Sequence, residues 1–197
     1  MLVGKRVTLS PVEREHLGLL KRWRNDPDVR GRFFSSLPAT DLGQELWYDR
    51  MIKGGRDVFF VVRATGGART RAAAAPVGYA AISEVDWRKS RAVVSIILGE
   101  KRVWGKGLGV EVLALLFRYA FAEMGLHKLQ IYIFTDNERS IRLFARYAQV
   151  EGRLRAHEWR DGVWQDVTLM GLTAERWFAE FHGKPLPAGG GTRKRRP

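Results

Sequence analysis

The chain has 197 residues, 45% of them hydrophobic, with seven Trp, and so suits one globular domain with a substantial core. Zero Cys excludes disulfides, thiolate catalysis and zinc–thiolate sites; His16, His127, His157 and His182 show neither HxxxH nor HExxH spacing, so no metal centre is expected. The formal charge is +13, of which Lys184, Arg193, Lys194, Arg195 and Arg196 form an acid-free basic end, and a field of that sign attracts polyanions and repels polycations. Two readings of the charge stay open: a solvated basic surface, or a polyanionic partner such as nucleic acid. No apolar run approaches a membrane span, and Met1-Leu-Val-Gly-Lys does not read as a secretory signal, so a cytoplasmic protein is expected.

In chain order, Gly4 to Ser10 reads as a strand ended by Pro11. Val12 to Trp23 has helical spacing at His16, Leu19, Leu20 and Trp23 and closes at Asn25-Asp26-Pro27. Thr40 caps a second helix holding Leu42, Leu46, Trp47 and Met51, ended by Gly54-Gly55. Asp57 to Arg63 is a strand, and Ala64 to Ala75 a flexible loop by composition. Val77 to Glu84 and Ala92 to Leu98 are further strands, followed by a glycine-rich turn and a helix with apolar residues at Val110, Leu113, Leu116, Phe117, Ala120, Phe121 and Met124. Lys128 to Phe134 alternates as a strand, and Asp136 or Asn137 caps a helix reaching about Ala148. Val150 to Arg160 and Val163 to Leu172 form a hairpin around Asp161-Gly162, and Thr173 starts a last helix through Phe181. The expected domain is 1–182, with 183–197 a basic tail, disordered from Pro185.

The turn, Arg102 to Glu111, reads R-V-W-G-K-G-L-G-V-E and carries the chemistry. Strand, glycine-rich turn and helix N-terminus in that order make an anion site: missing Cβ atoms let a phosphate approach, and backbone N–H groups and the helix dipole favour it. Arg102 and Lys106 add full charges. The Walker pattern fails, because five residues separate Gly99 from Gly105-Lys106 and Gly107 stands where Ser or Thr should hold magnesium. The dinucleotide fingerprint fails as well, with Val112 at the third glycine position. What remains, R-x-x-G-x-G over Arg102 to Gly107, resembles the acyl-CoA pyrophosphate loop of the GNAT N-acetyltransferases.

The element order β-α-α-β-β-β-α-β-α-β-β, from about Val3 to Phe181, is also similar to the GNAT fold. Further matches are Trp23-Arg24-Asn25-Asp26, Asn137-E-R-Ser140, and Glu151-Gly152-R-L-R with Gly162 and Asp166 downstream. Together they resemble the branch holding the ribosomal-protein N-terminal acetyltransferases (RimJ/RimL-like), which also includes polyamine and small-amine acetylators. The resemblance implies an α+β fold: a single central, mixed, mostly antiparallel twisted sheet flanked by helices. It implies acetyl-CoA as cosubstrate, no metal, and direct transfer of the acetyl group to an amine.

By the same resemblance, the amides of Val103, Trp104, Gly105, Lys106, Gly107, Leu108 and Gly109 hold the pyrophosphate beside Arg102, and the strand end Ile96, Ile97 and Leu98 pairs with the pantetheine arm. Asn137 contacts that arm or merely caps its helix; Arg139 and Arg142 reach the adenosine phosphates or are plain exposed arginines. The tyrosine that many relatives place seven residues after the Asn is Phe144 here, and their glutamate before the glycine loop is Val93. Ser140 is the first choice of proton donor, Tyr147 packs, and Glu84 is the replacement base. Arg24, Phe33 and Trp159 are the substrate candidates, in a wall that also draws on Arg32 and Phe34. An α-amine of pKa about 7.7–8.0 is roughly a tenth neutral at pH 7, against one part in a few thousand for lysine, so a weak base favours α-amines. The leading acceptor is therefore a protein N-terminus, and the resemblance and the basic charge together point to that of a ribosomal protein beside RNA. The alternatives are a small amine such as an aminoglycoside or amino sugar, or a non-catalytic CoA- or RNA-binding module. Polyamines are disfavoured by the net field, and a homodimer stays open.

Overall fold

A computed structural model describes residues 1–35, 37–65 and 74–184. The middle of the expected 64–75 loop and the expected tail beyond 184 lie outside the described residues. One eight-stranded sheet has the order β1-β2-β3-β4-β5-β6-β8-β7. Its strands are β1 (Leu2–Val3), β2 (Val7–Pro11), β3 (Val58–Ala64), β4 (Pro76–Asp86), β5 (Arg91–Ile97), β6 (Lys128–Phe134), β7 (Gln149–Arg160) and β8 (Val163–Thr173). Every neighbouring pair is antiparallel except β5 and β6. The helices are α1 (Leu17–Asn25), α2 (Pro27–Arg30), α3 (Asp41–Gly54), α4 (Leu108–Arg118), α5 (Glu138–Phe144) and α6 (Ala174–Glu180). No helix among the described residues is long and apolar enough to cross a membrane.

The alternation of β3 shows how the layers form. Phe60 and Val62 enter a core shared with α4, α5 and α6, while Val61 between them packs with Leu17, Leu20 and Trp23 of α1 and Tyr48 of α3 on the other face. Leu113, Leu116 and Phe117 of α4 are fully buried, each worth about 1.5–3 kcal/mol of apolar transfer. Helix α4 ends in one π-helical turn, Tyr119–Glu123.

Four boundaries differ from the sequence expectation. The first strand is a small hairpin, closed by the Gly4 N–H on Val7 O at 2.9 Å. Helix α1 starts at Leu17, because Arg14–His16 is a 3-10 turn whose His16 Nδ1 accepts the Glu13 N–H at 2.9 Å. Beyond α1 the chain makes the extra turn α2, with Pro27 in its first turn and the Asp26 carboxylate accepting the Asp28 N–H. Helix α5 stops at Phe144, short of the expected Ala148. The Asp161-Gly162 turn is as expected, with φ of 51 and 82, the left-handed pair that a two-residue hairpin of mirror type needs.

Candidate active site

Strands β5 and β6 pair over only Arg91↔Lys128, Ala92↔Leu129 and Val93↔Gln130. Beyond Val93, β5 stays with β4 as far as Tyr79↔Ile97, whereas β6 stays with β8 as far as Phe134↔Val167. The two strands therefore part, and a cleft of about 1080 Å³ opens between them. The inner edges carry backbone donors and acceptors with no strand opposite, so an extended, amide-bearing ligand arm fits there as a missing strand. Ile97 and Leu98 line this edge. Gly78 lets the neighbouring strand approach it closely, since a Cβ there would lie 2.1 Å from Ile97 O. The Trp104 indole N–H donates to Leu98 O at 2.7 Å, which fixes the turn against the strand end.

The turn itself lines the mouth of the cleft from Val103 to Gly109. Lys101–Val103 makes one 3-10 turn, and Gly105 and Gly107 then adopt φ of 76 and 74, which L side chains resist. The first N–H groups of α4 have no partner inside the helix and remain available to an anion. Arg6, from the other end of the chain, reaches the same turn: Nη1 donates to Lys106 O at 3.0 Å and Nη2 to Gly107 O at 3.2 Å. Its backbone N–H and Nε donate to Glu111 at 2.9 and 3.4 Å, and Glu111 is only 4% exposed. Arg102 does not line the cleft; its side chain is 60% exposed and lies beside Glu100.

Helix α5 forms the side wall. Asn137 caps it, Oδ1 accepting the Ser140 N–H at 3.2 Å, and also lines the cleft. Ser140, Arg139, Arg142 and Phe144 line the cleft too; Arg139 lies 5.1 Å over the Trp104 ring, and Arg142 pairs with Glu138 at 2.7 Å. Tyr147 is buried, its hydroxyl donating to Val110 O at 3.0 Å, so it packs and holds α4.

Strand register defines the opposite wall. Tyr79 faces the same side as Ile97, while Val94, Ile96, Ile131 and Ile133 point into the α4 core, which leaves Ser95, Tyr132 and Phe134 on Tyr79's side. The turn after α2 roofs this chamber: Phe33 stacks on Tyr79 at 6.3 Å and Phe34 lies 4.8 Å from Phe134. Burial pushes the Tyr79 phenol well above its ordinary value, with the Arg24 charge pulling weakly the other way. Arg24 does not line the cleft but backs it, 5.6 Å over the Phe33 ring and bonded to the buried Gln44 at 3.4 Å. Among the described lining residues the only carboxylate is Asp28, and it is held by the Lys101 ammonium, which also sits 3.1 Å from Asp26.

Two candidates fall elsewhere. Glu84 is exposed at φ 53, in the irregularity between Ser83 and Asp86, at the closed end of the β5–β6 pair, and does not line the cleft. Trp159 is 52% exposed and packs on Trp164 at 5.4 Å, out on the β7–β8 hairpin. Its neighbour Arg160 is the residue that reaches the roof, donating to Gly31 O at 3.0 Å and Asp136 at 2.5 Å and lying 4.2 Å over Phe134. Arg6, Tyr79, Tyr132 and Arg160 carry no local motif; only the pairing of distant strands brings them here. No cluster of potential metal ligands occurs among the described residues.

A wedge between parallel strands beside a glycine turn and a capped helix suits an extended, amide-bearing ligand that ends in a phosphate. Residues 6–148 match the acetyltransferase (GNAT) domain family; the chain belongs to this family and is an acetyl-CoA-dependent N-acetyltransferase. It is 25% identical over 175 residues to spermidine N(1)-acetyltransferase of Escherichia coli K12, covering 88% of this chain and 89% of that protein. It is 26% identical over 183 residues to alpha/beta-tubulin-N-acetyltransferase 9 of Drosophila melanogaster, covering 90% and 88%. The crystal structure of spermidine N-acetyltransferase from Vibrio cholerae, in complex with CoA and spermine, superposes with a TM-score of 0.81 at 21% identity, over 89% of this chain and 99% of that one.

Proposed function

We propose that the chain acetylates a small primary amine with an aromatic or anionic body, not a polycation. The observation that carries this is the chamber beside β5: Phe33, Phe34, Tyr79, Tyr132 and Phe134 wall it, Arg32 lines it, and the single carboxylate among its described residues is already held by Lys101. A small-amine acceptor agrees with the spermidine acetyltransferase relative, and a non-polyamine body agrees with the charge of +13.

Acetyl-CoA supplies the thioester; the chain supplies placement and protons. The turn amides and Lys106 hold the diphosphate, and the open β5 edge orients the arm. With no free carboxylate among the described lining residues, the ammonium form of the amine gives its proton to water, which suits an acceptor that is partly neutral at pH 7. Its nitrogen attacks the carbonyl carbon and loses its second proton to water, the carbon–sulfur bond breaks, and the Ser140 hydroxyl donates a proton to the leaving thiolate, regaining one from solvent. Thiol release from acetyl-CoA across aromatic amines with and without a carboxylate, peptide N-termini and spermidine tests this. The aromatic, carboxylate-bearing amines should exceed spermidine at least about tenfold in kcat/KM, roughly the worth of one paired charge; a spermidine preference would refute the reading.

A protein N-terminal α-amine is the second reading, favoured by the missing base and by the tubulin acetyltransferase relative. Its ribosomal-protein, RNA-proximal form rests on the sequence motifs and the basic charge alone. Peptides outperforming every free amine in the same panel would select it.

A further inference from the structure

We propose that Arg6 is a positioning residue for the diphosphate turn: it clamps the turn's carbonyls and thereby aims its amides at the ligand. The proposal rests on the Gly105–Gly109 turn being the diphosphate site. Arg6 lies about a hundred positions from that turn, between β1 and β2, yet bonds to two successive carbonyls in it, Lys106 O at 3.0 Å and Gly107 O at 3.2 Å. In a trans peptide the carbonyl and the following N–H point in opposite directions. Holding these two carbonyls on the Arg6 side therefore turns the N–H groups of Gly107 and Leu108 the other way. Both residues line the cleft.

The clamp is itself anchored. Glu111, in the first turn of α4, takes the Arg6 backbone N–H on Oε1 at 2.9 Å and its Nε on Oε2 at 3.4 Å. A carboxylate 4% exposed is stable only if paired and hydrogen-bonded, so the two residues fix one another. Gly4 leaves the room for this, because a Cβ there would lie 2.2 Å from Glu111 Oε1. Arg6 itself lines the cleft and its side chain is 54% exposed, so its charge adds to the field at the turn. Glu111 thus has a role that helix-terminus electrostatics alone does not describe: it seats the arginine that shapes the turn.

The test compares acetyl-CoA with acetyl-pantetheine, which carries the same thioester and arm without the diphosphate. The readout is the ratio of their kcat/KM values for wild type, Arg6→Ala, Arg6→Lys and Glu111→Gln. Wild type should prefer acetyl-CoA. Arg6→Ala should lower the ratio about tenfold or more, the size expected for lost hydrogen bonds to a charged group. Arg6→Lys, which keeps the charge but loses the two-carbonyl fork, should fall between. Glu111→Gln should lower the ratio in the same direction by roughly threefold, since the guanidinium loses its anchor. Loss of both activities together, with the ratio unchanged, would show a purely structural role and overturn the clamp. Should Arg6→Ala not fold, an unchanged ratio in both Arg6→Lys and Glu111→Gln overturns it equally. A wild type with no preference for acetyl-CoA would instead sink the diphosphate assignment, and the proposal with it.

Discussion

At the scale of single residues, Asn137 and Ser140 occupy one capped turn and answer to different tests. Asn137 closes α5 through its bond to the Ser140 N–H, so Asn137→Ala should cost about 1 kcal/mol of stability, read as a lowered melting temperature. Ser140→Ala removes only a hydroxyl from the cleft wall. If that hydroxyl protonates the leaving thiolate, kcat should fall about a hundredfold with KM for acetyl-CoA nearly constant, and an unaltered kcat would return the role to water. The turn glycines and Asn137 were legible in the sequence because their roles are local: a backbone region or a cap three residues away. Tyr79 and Arg6 were not, because nothing in V-G-Y-A or G-K-R-V announces which distant strand or turn will lie beside it. The place of Glu84 outside the cleft lining was not legible either, because an irregular, positive-φ backbone inside a strand pattern has no compositional mark.

Among the elements, the β7–β8 hairpin is held at its irregularity by a charged side chain. Its register shifts between Leu154 and Glu158, where Ala156 takes φ 44, and the Asp166 carboxylate spans the irregularity by accepting the Ala156 N–H at 2.7 Å and Arg153 Nε at 2.6 Å. The Ala156 amide, then Arg153, hold the Asp166 carboxyl below its ordinary value. Its contribution is therefore full above about pH 4, the unfolded value, and is lost as pH falls through the lower folded one. Asp166→Asn should raise amide exchange at 154–158 at neutral pH and abolish the acid-dependent part of that opening; exchange as slow as wild type would contradict this. In the turn before α4, Gly107→Ala forces a Cβ into the left-handed region at a cost of about 1–2 kcal/mol, and should weaken CoA binding in calorimetry more than it lowers the melting temperature. The β7–β8 hairpin and the starts of α3, α5 and α6 were readable from turn and cap residues. The extra turn α2 was not, since Asn25-Asp26-Pro27 ends one helix and opens the next with the same three residues.

For the whole molecule, the charge of +13 acts on a polyanionic cosubstrate before any contact forms. Raising ionic strength from about 0.01 to 0.15 M shortens the screening length from about 30 to about 8 Å, so KM for acetyl-CoA should rise over that range while kcat changes little. A salt-independent KM would assign the charge to some other partner. The element order was readable because each layer writes its period into the chain, as Phe60, Val61 and Val62 do by alternating between two cores. What periodicity does not encode is where a sheet stops being continuous.

That discontinuity has a mechanical consequence. Among the described residues, only three rungs of ladder fasten β1–β5 to β6–β8, so the sheet is two rafts moored at one end over a shared core. A cosubstrate lying along the gap supplies the absent rungs and becomes part of the scaffold for as long as it stays. Saturating CoA at a hundred times its dissociation constant should add about 2.7 kcal/mol to the resistance of the chain to unfolding. Exchange protection should then spread along β5 and β6 past Val93, as though the sheet had been zipped shut.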